Sequence, residues 1–278
     1  MMLNQTLATL RRYGIRPSKR AGQHHVVDLT VLEKMVDHAH LSREDVVLEI
    51  GAGIGNLTRL LAQCAGEVIS IERDMRLIKI LHGQMRGLAN VQIVHGDALR
   101  VELPKFNKVV ANLPYGISSD ITFRLLEHKF ELAVLMYQQE FAERLVAKPG
   151  SSDYSRLTVN AYYRAHVELL GEVPPEAFVP QPKVTSAIVR LSPREPPFEV
   201  KNEQMFFSVI RALFQHRRQR VRNALYRSFG EVFSGMKISK AERRAMIDHG
   251  IPKDLAEARV MDLAPEKFGV VADFVTDA

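Results

Sequence analysis

The chain has 278 residues, of which 46% are hydrophobic, and this is enough for one large α/β domain and a smaller second domain. Its apolar segments are short and flanked by charge, far from the ~20 uninterrupted apolar residues of a membrane-spanning helix, so we expect a cytoplasmic protein without a membrane partner. The single cysteine, Cys64, excludes an intrachain disulfide and a thiolate metal site, and we expect no bound metal.

The net charge of +6 favours a polyanionic partner, and the distribution of the charge strengthens that indication. Residues 1–27 contain five arginines and lysines and no carboxylate, and residues 211–227 contain six arginines and no carboxylate. Two basic segments so far apart in the sequence suggest a long anionic ligand.

The first elements after the basic N-terminal segment are a helix and then a strand. Apolar residues recur at helical spacing over 28–40, with Asp28 or Thr30 available as an N-cap. A compact apolar run at 46–50 then ends in a glycine turn at 51–55, and leucines at helical spacing follow. This order predicts strand, glycine turn and helix.

The same alternation continues along the chain. It predicts strands at 67–71, 91–94, 108–111 and 132–136, and helices at 75–85 and 121–126. Strands that alternate with helices indicate a parallel, doubly wound α/β sheet, because each crossover needs a helix to return the chain. Ligands of such sheets bind at the carboxyl ends of the strands.

The C-terminal part follows a different pattern. Strands are predicted at 167–173 and 186–191, joined by a proline-rich segment without helical periodicity, so we expect an antiparallel pair at the edge of the sheet. After a linker, residues 205–233 and 240–278 show helical periodicity alone. We therefore predict a catalytic domain at 1–195, which includes the basic arm, and a small α-helical domain at 196–278.

A glycine turn and two acidic residues at strand ends indicate a nucleotide-type cofactor. Gly51 and Gly53 allow backbone to approach a ligand closely, although nucleotide-binding families share such turns widely. Glu72 ends the next strand, where a carboxylate can accept hydrogen bonds from ribose hydroxyls. Asp97 ends the third strand and could accept from an adenine amino group or only cap a helix. These residues alone are compatible with both a dehydrogenase and an S-adenosylmethionine-dependent transferase.

The tetrapeptide Asn112-Leu113-Pro114-Tyr115 after the fourth strand decides between them. The exocyclic amine of adenine is a poor nucleophile, and catalysis needs acceptors for both of its hydrogens. Asn112 offers a side-chain carbonyl and Leu113 a backbone carbonyl, while Pro114 restricts the backbone on both sides. Tyr115 offers an aromatic face to an extruded base. A dehydrogenase gives these residues no role.

With these motifs the chain resembles the KsgA-type small-subunit ribosomal RNA adenine dimethyltransferases, which are related to the Erm resistance methylases. The resemblance runs from about residue 14 to the C-terminus. The motifs that carry it are GQHHVVD at 22–28, EIGAGIGNLT at 49–58, NLPYGIS at 112–118 and FVPQPKVTS at 178–186. One difference is that this family usually has Asn-Phe-Leu where the chain has His24-His25-Val26.

The resemblance implies a Rossmann-like class I methyltransferase fold and specific site residues. It implies that Tyr115 and Phe178 sandwich the target base. The cofactor contacts that it implies for S-adenosylmethionine are His24, Val26, Gly51, Glu72, Asp97 and Asn112. It also implies dimethylation of two adjacent adenosines near the 3′ end of small-subunit ribosomal RNA during ribosome assembly, so that the partner is this RNA or an immature small subunit.

The predicted RNA contacts are four arginines in the second basic segment: Arg217, Arg218, Arg220 and Arg222. Phosphate contacts position an RNA without reading its sequence. A solvated helix face is the alternative, and four arginines within six residues cannot all lie on one side of a helix. We expect a monomer. An Erm-like large-subunit RNA methylase and a non-catalytic assembly factor remain as alternative functions.

Overall fold

The computed structural model describes residues 2–16 and 23–278, and the chain divides into two units. Unit 1 contains the residues up to Ala142 together with Ala165–Pro193, and unit 2 contains Glu143–Arg164 and Arg194–Ala278. The predicted division at 195/196 therefore needs a correction, because 143–164 belongs with the C-terminal helices. Tyr154, Val159 and Tyr163 of this segment are buried in the core of unit 2.

Unit 1 is built on a mixed, mostly parallel sheet of seven strands in the order β4-β3-β2-β5-β6-β9-β7. The strands of the described chain are β1 (His25–Val26), β2 (Val46–Ile50), β3 (Glu67–Glu72), β4 (Val91–His95), β5 (Lys108–Asn112), β6 (Leu132–Gln138), β7 (Ala165–Val173), β8 (Phe178–Val179) and β9 (Ser186–Pro193). Strands β2 to β6 pair in parallel, and β9 lies antiparallel between β6 and β7. The predicted doubly wound sheet with an antiparallel edge is confirmed.

The helices of this part of the chain precede the strands or connect them. They are α1 (Met2–Arg12), α2 (Leu29–His38), α3 (Asn56–Cys64), α4 (Met75–Gln84), α5 (Ser118–Leu126) and α6 (Gln139–Leu145). Asp28 and Asp74 begin α2 and α4 as N-caps, and each side chain accepts a backbone N–H two residues ahead. Such caps fix where each crossover helix starts relative to the strand before it.

Helix α1 gives the basic N-terminal segment a structure that the sequence patterns did not predict. Its Leu10 and the following Ile15 are buried against Ile54, Leu77 and Ile80 of unit 1. Arg11, Arg12 and Arg16 remain exposed. Lys19 and Arg20, which belong to the same predicted basic segment, lie outside the described residues.

A two-stranded antiparallel ribbon supplements the main sheet. Strand β1 pairs with β8, with His25 opposite Val179 and Val26 opposite Phe178. The side chains of Val26 and Phe178 are buried in a core cluster that also contains Leu32, Val110 and Ile188. The ribbon thus ties the segment before α2 to the proline-rich segment between β7 and β9.

Unit 2 is helical, as the periodicity of 205–233 and 240–278 predicts. Its helices are α7 (Arg156–Arg164), α8 (Glu203–Phe214), α9 (Val221–Arg227), α10 (Phe229–Val232), α11 (Lys240–Gly250), α12 (Lys253–Glu257) and α13 (Pro265–Asp277). Phe206, Phe229 and Phe268 are buried in its core. No helix within the described ranges is long and apolar enough to cross a membrane.

Candidate active site

Unit 1 contains a cavity of about 1050 Å³ at the carboxyl ends of β2, β3 and β5, where doubly wound sheets bind ligands. It is lined by all the predicted cofactor and catalytic residues except Phe178. These are His24, Val26, Gly51, Gly53, Glu72, Asp97, Asn112, Leu113, Pro114 and Tyr115. Residues from five separate segments of the sequence therefore meet in one cavity.

The glycine turn between β2 and α3 lies directly against two of these elements. Gly51 and Gly53 have φ angles of 77° and 61°, which favour glycine. A Cβ atom on Gly51 would lie 3.2 Å from Cδ of Pro114, and one on Gly53 would lie 2.9 Å from Nδ1 of His25. Glycine at these positions lets the turn approach both the catalytic tetrapeptide and strand β1.

Glu72 ends β3 with a carboxylate that is held by backbone. Its Oε2 accepts the N–H of Gly53 at 2.9 Å, and its Oε1 accepts the N–H groups of Arg73 and Asp74, each at 2.8 Å. Burial raises the pKa of the carboxyl, and these N–H groups oppose the rise. The side chain is thus fixed at the cavity with lone pairs left for a ligand.

Asp97 follows β4, the strand next to β3 in the sheet. Its Oδ1 accepts the N–H of Leu99 at 3.0 Å, so Asp97 caps a turn and not the helix of the alternative interpretation. Its Oδ2 lies 3.7 Å from a guanidinium nitrogen of Arg73, and its side chain keeps 26% of its surface exposed. Asp97 therefore caps the turn and also presents an acceptor to the cavity.

The two carboxylates at neighbouring strand ends fit the nucleoside part of S-adenosylmethionine. Glu72 can accept from the two hydroxyls of a ribose, and Asp97 can accept from the amino group of an adenine beside it. Among residues 2–16 and 23–278, no group of three His, Cys, Asp or Glu side chains is placed to hold a metal ion.

The catalytic tetrapeptide begins at the end of β5 and enters the cavity beside the glycine turn. Nδ2 of Asn112 donates to the backbone carbonyl of His24 at 2.8 Å, and this bond leaves the amide oxygen Oδ1 as an acceptor for a substrate. In the described part of the chain, no backbone N–H donates to the carbonyl of Leu113. Two acceptors with free lone pairs therefore occupy consecutive residues.

Pro114 and Tyr115 continue this segment into a short 3₁₀ turn. Pro114 is extended, with φ −60° and ψ 124°, and the turn begins at Tyr115. The hydroxyls of Tyr115 and Ser186 hydrogen-bond at 2.6 Å, which fixes the tip of the tyrosine ring. The tetrapeptide is thus held at its first residue by His24, which precedes strand β1, and at its last residue by Ser186 of strand β9.

Phe178 does not take the position that the resemblance implies. Its side chain is fully buried in the core of unit 1, because β8 pairs with β1 and directs the phenyl ring into the cluster around Leu32 and Ile188. The ring that stacks on Tyr115 belongs to His24 instead, with centroids 5.3 Å apart and planes at 26°. The predicted Tyr115–Phe178 sandwich is therefore replaced by a Tyr115–His24 pair.

Sequence patterns alone missed the contributions of Asn56 and His25. Nδ2 of Asn56 donates to the carbonyl of Val26 at 2.8 Å and to Oγ1 of Thr6 at 3.1 Å, so it joins α1, β1 and α3. His25 is buried at the glycine turn, and burial lowers its pKa to about 4, so its imidazole is neutral at physiological pH. Asn56 could have been found as the polar residue directly after the glycine turn. His25 could have been found from the difference from the family at 24–25.

Glu49 is a third missed residue, a carboxyl within an otherwise apolar strand that lines the cavity. Only 2% of its surface is exposed, and its Oε2 accepts the hydroxyls of Thr58 at 2.6 Å and Ser70 at 2.7 Å. Burial, together with the nearby Glu72 carboxylate, raises its pKa to about 7, although the hydrogen bonds from Ser70 and Thr58 oppose the rise. Its ionisation is therefore sensitive to the charge of what occupies the cavity.

We expect Glu49 to make the ligand-free protein less stable as pH rises from about 4 to about 7. A carboxyl with a higher pKa in the folded state binds more protons there than in the unfolded chain, whose value is about 4.3, so the free energy of unfolding falls across this range. Urea unfolding at pH 5 and pH 8 should show Glu49→Gln gaining stability relative to the parent as pH rises. The exposed Glu67→Gln serves as control, and a difference between Glu49→Gln and parent that does not change with pH would contradict the assignment.

The four predicted RNA-binding arginines lie in unit 2, in the turn after α8 and at the start of α9. The guanidinium of Arg217 donates to the carbonyls of Ser151 and Ser152 at 3.2 and 2.8 Å, so it holds a loop. Arg220 and Arg222 both pair with Glu257. Arg218 is exposed and has no ion pair or hydrogen bond with any described residue. The cluster is thus not one helix face, and Arg218 is its unpaired member.

Comparison with known proteins places this site in a family. The family model "Ribosomal RNA adenine dimethylase" matches residues 16–257. A relative from Methanosarcina mazei, named a probable ribosomal RNA small subunit methyltransferase A, is 45% identical over 268 residues, which cover 96% of each chain.

Two solved structures resemble the chain over 90% of its length. A dimethyladenosine transferase from Plasmodium falciparum has a TM-score of 0.75 and 32% identity, with 96% of that chain covered. The 23S rRNA methyltransferase ErmE has a TM-score of 0.64 and 31% identity, with 99% of that chain covered.

Proposed function

Because the chain belongs to the ribosomal RNA adenine dimethylase family, we propose that it dimethylates N6 of two adjacent adenosines near the 3′ end of small-subunit ribosomal RNA. The observation that carries the proposal is the meeting of two sets of residues in one cavity. Glu72 and Asp97 fit a nucleoside cofactor, and Asn112 to Tyr115 present acceptors and an aromatic ring beside it. The same RNA within an immature small subunit is the proposed partner during ribosome assembly.

The cofactor is S-adenosylmethionine, which when bound supplies a methyl group on a positively charged sulfur. The glycine turn and the strand ends hold it from one side of the cavity, through Glu72 on the ribose and Asp97 on the adenine. Asn112 and Leu113 line the same cavity. Holding both reactants in one cavity converts a bimolecular reaction into an intramolecular one.

Asn112 and Leu113 activate the target amine by hydrogen bonding. Oδ1 of Asn112 and the carbonyl oxygen of Leu113 accept the two hydrogens of the exocyclic amine, which favours a pyramidal nitrogen with its lone pair out of the ring. Bound S-adenosylmethionine would supply its methyl group to this lone pair, and its sulfur would keep the electrons of the S–C bond. The methylated nitrogen is then positively charged and releases one proton to solvent past these neutral acceptors. A second methylation by the same steps uses the remaining hydrogen.

The choice between small-subunit and large-subunit RNA rests on the relatives. The relative at 45% identity is named for the small subunit, whereas the neighbour named for 23S RNA is 31% identical. Incubation of the protein with labelled cofactor and either RNA class tests this directly. We expect label in small-subunit RNA, and label only in large-subunit RNA would contradict the proposal.

We propose that unit 1 carries out the chemistry and that unit 2 contributes to RNA binding through its basic residues. Arg218 is the best phosphate contact of the predicted four, because the other three already have partners within unit 2. The exposed Arg11, Arg12 and Arg16 on unit 1 supply a second basic surface. Phosphate contacts of this kind add affinity without sequence selection.

Replacing Arg218 with glutamine should weaken RNA binding and reduce the slope of log affinity against log salt by about 0.7–0.9, the value for one lost phosphate contact. Arg211→Gln removes the same charge from a guanidinium already paired with Glu231, and its slope should stay near that of the parent. Fluorescence anisotropy over a salt series measures both. Equal slopes for parent and Arg218→Gln, with normal folding, would mean that this residue is only solvated surface.

The monomeric state and the cytoplasmic location remain predictions. Light scattering coupled to size-exclusion chromatography tests the first, and cell fractionation tests the second.

A further inference from the structure

The side chain of His24 is directed to the catalytic tetrapeptide. Nδ1 of its imidazole donates to the backbone carbonyl of Pro180 at 2.6 Å, and because a carbonyl only accepts, this nitrogen carries the hydrogen. The ring stacks on Tyr115, with centroids 5.3 Å apart and planes at 26°. The resemblance implies a cofactor contact at this position, but the contacts of the imidazole are with Pro180 and Tyr115.

Tyr115 is consequently fixed at two places. Its hydroxyl bonds Ser186 at 2.6 Å, and His24 covers one of its faces. A base inserted between the two rings would need about 7 Å, twice the optimal contact distance of ~3.5 Å. The separation of 5.3 Å leaves no such space, so a base that stacks on Tyr115 must use the face turned away from His24.

Both anchors of this pair come from one segment. Pro180 follows β8, and Ser186 begins β9, so the His24 and Tyr115 side chains are tied to opposite ends of the same loop. Phe178 in this segment is fully buried and offers no face to the cavity. The support behind Tyr115 therefore comes from His24 and its bond to Pro180.

We propose that His24 is a positioning residue for the target base, whose imidazole backs Tyr115 and holds that ring in the orientation that receives adenine. The inference rests on the proposed function, since it names the residue that sets the tyrosine face for the substrate. His24 then governs how well the RNA base is held and leaves cofactor binding unaffected.

The role of the His24 side chain can be tested apart from the role of Asn112, because Asn112 contacts only the backbone carbonyl of His24 and not its imidazole. Asn112 is oriented by the carbonyl oxygen of His24, which every side-chain variant retains. A substitution of His24 thus removes the support of Tyr115 without removing the hydrogen bond that orients Asn112. The effect on the base can be measured apart from the effect on the reacting amine.

The test compares His24→Ala with His24→Phe, which keeps a stacking ring and loses the bond to Pro180. Each variant is mixed with a small-subunit RNA fragment that carries fluorescent 2-aminopurine at the target adenosine, because stacking on an aromatic ring quenches this base. The contribution of one aromatic pair corresponds to a change of about 2- to 10-fold. We expect His24→Ala to lose most of the quenching and to raise KM for RNA by that factor, and His24→Phe to recover part of both, because it keeps the ring without the bond to Pro180.

Affinity for S-adenosylhomocysteine, measured by calorimetry, should stay within about twofold in both variants, and thermal unfolding checks that each is folded. Parental quenching in His24→Ala would overturn the inference. So would a loss of cofactor affinity that equals or exceeds the loss of quenching. The parent is assayed first for methylation of the unmodified fragment, because a parent that methylates no adenosine would overturn the proposed function and not the role of His24.

Discussion

Asn112→Ala should lower the rate of single-turnover methylation by about 10²–10³-fold, the effect of removing one preorganised hydrogen-bonding group from an active site. Its Oδ1 is the acceptor that the structure leaves available for the amine, since Nδ2 is engaged by the carbonyl of His24. Binding of RNA should change little, because the proposed contact of Oδ1 with the RNA is limited to the reacting amine. Rapid-quench kinetics with both substrates saturating measures the rate.

A matched variant shows whether the loss is specific. Asn160→Ala removes an amide that donates to the carbonyl of Arg156 on α7, away from the proposed site, and its methylation rate should equal that of the parent. If Asn112→Ala reacted at the parental rate, the acceptor role would be wrong. If it lost RNA affinity as strongly as rate, Asn112 would act in docking instead.

Glu72→Ala should weaken binding of S-adenosylhomocysteine by about 10- to 100-fold, which corresponds to the loss of hydrogen bonds to a charged group. The change also releases the N–H groups of Gly53, Arg73 and Asp74, so the variant should unfold at a lower temperature. Glu72→Gln keeps one oxygen and should give an intermediate affinity. Calorimetry measures the affinity, and differential scanning measures the stability.

Glu67 provides the control because it begins the same strand and is exposed. Glu67→Ala should bind as the parent does. Unchanged affinity in Glu72→Ala, or tight binding of a nicotinamide dinucleotide by the parent, would contradict the assignment of the strand end to a ribose.

The central sheet could be predicted from the sequence because each parallel strand is a short apolar run followed by helical spacing. The predicted run at 46–50 coincides with β2, and the others differ from the observed strands by a few residues. The ribbon of β1 and β8 could not be predicted, because each strand has two residues and their pairing joins segments about 150 residues apart. Helix α1 was not predicted, because residues 1–27 were interpreted from their charge and not from the spacing of an amphipathic helix.

Some residues of the site could likewise be predicted from the sequence, and others could not. Glu72, Asp97 and Asn112 could be placed because strand ends determine their position, and parallel strands bring these ends together. The location of Phe178 depends on the ribbon, so its burial was not predictable from spacing. The partners of Arg217, Arg220 and Arg222 lie on other elements, and a local charge pattern cannot show them.

Mapping the modified nucleotides tests directly whether the protein dimethylates small-subunit ribosomal RNA. Immature small ribosomal subunits are incubated with the protein and labelled S-adenosylmethionine, and the RNA is digested and sequenced by mass spectrometry. We expect N6,N6-dimethyladenosine at two adjacent positions near the 3′ end of the small-subunit RNA, and none with Asn112→Ala. RNA without methylated adenosine, or with methylation only at other positions, would contradict it.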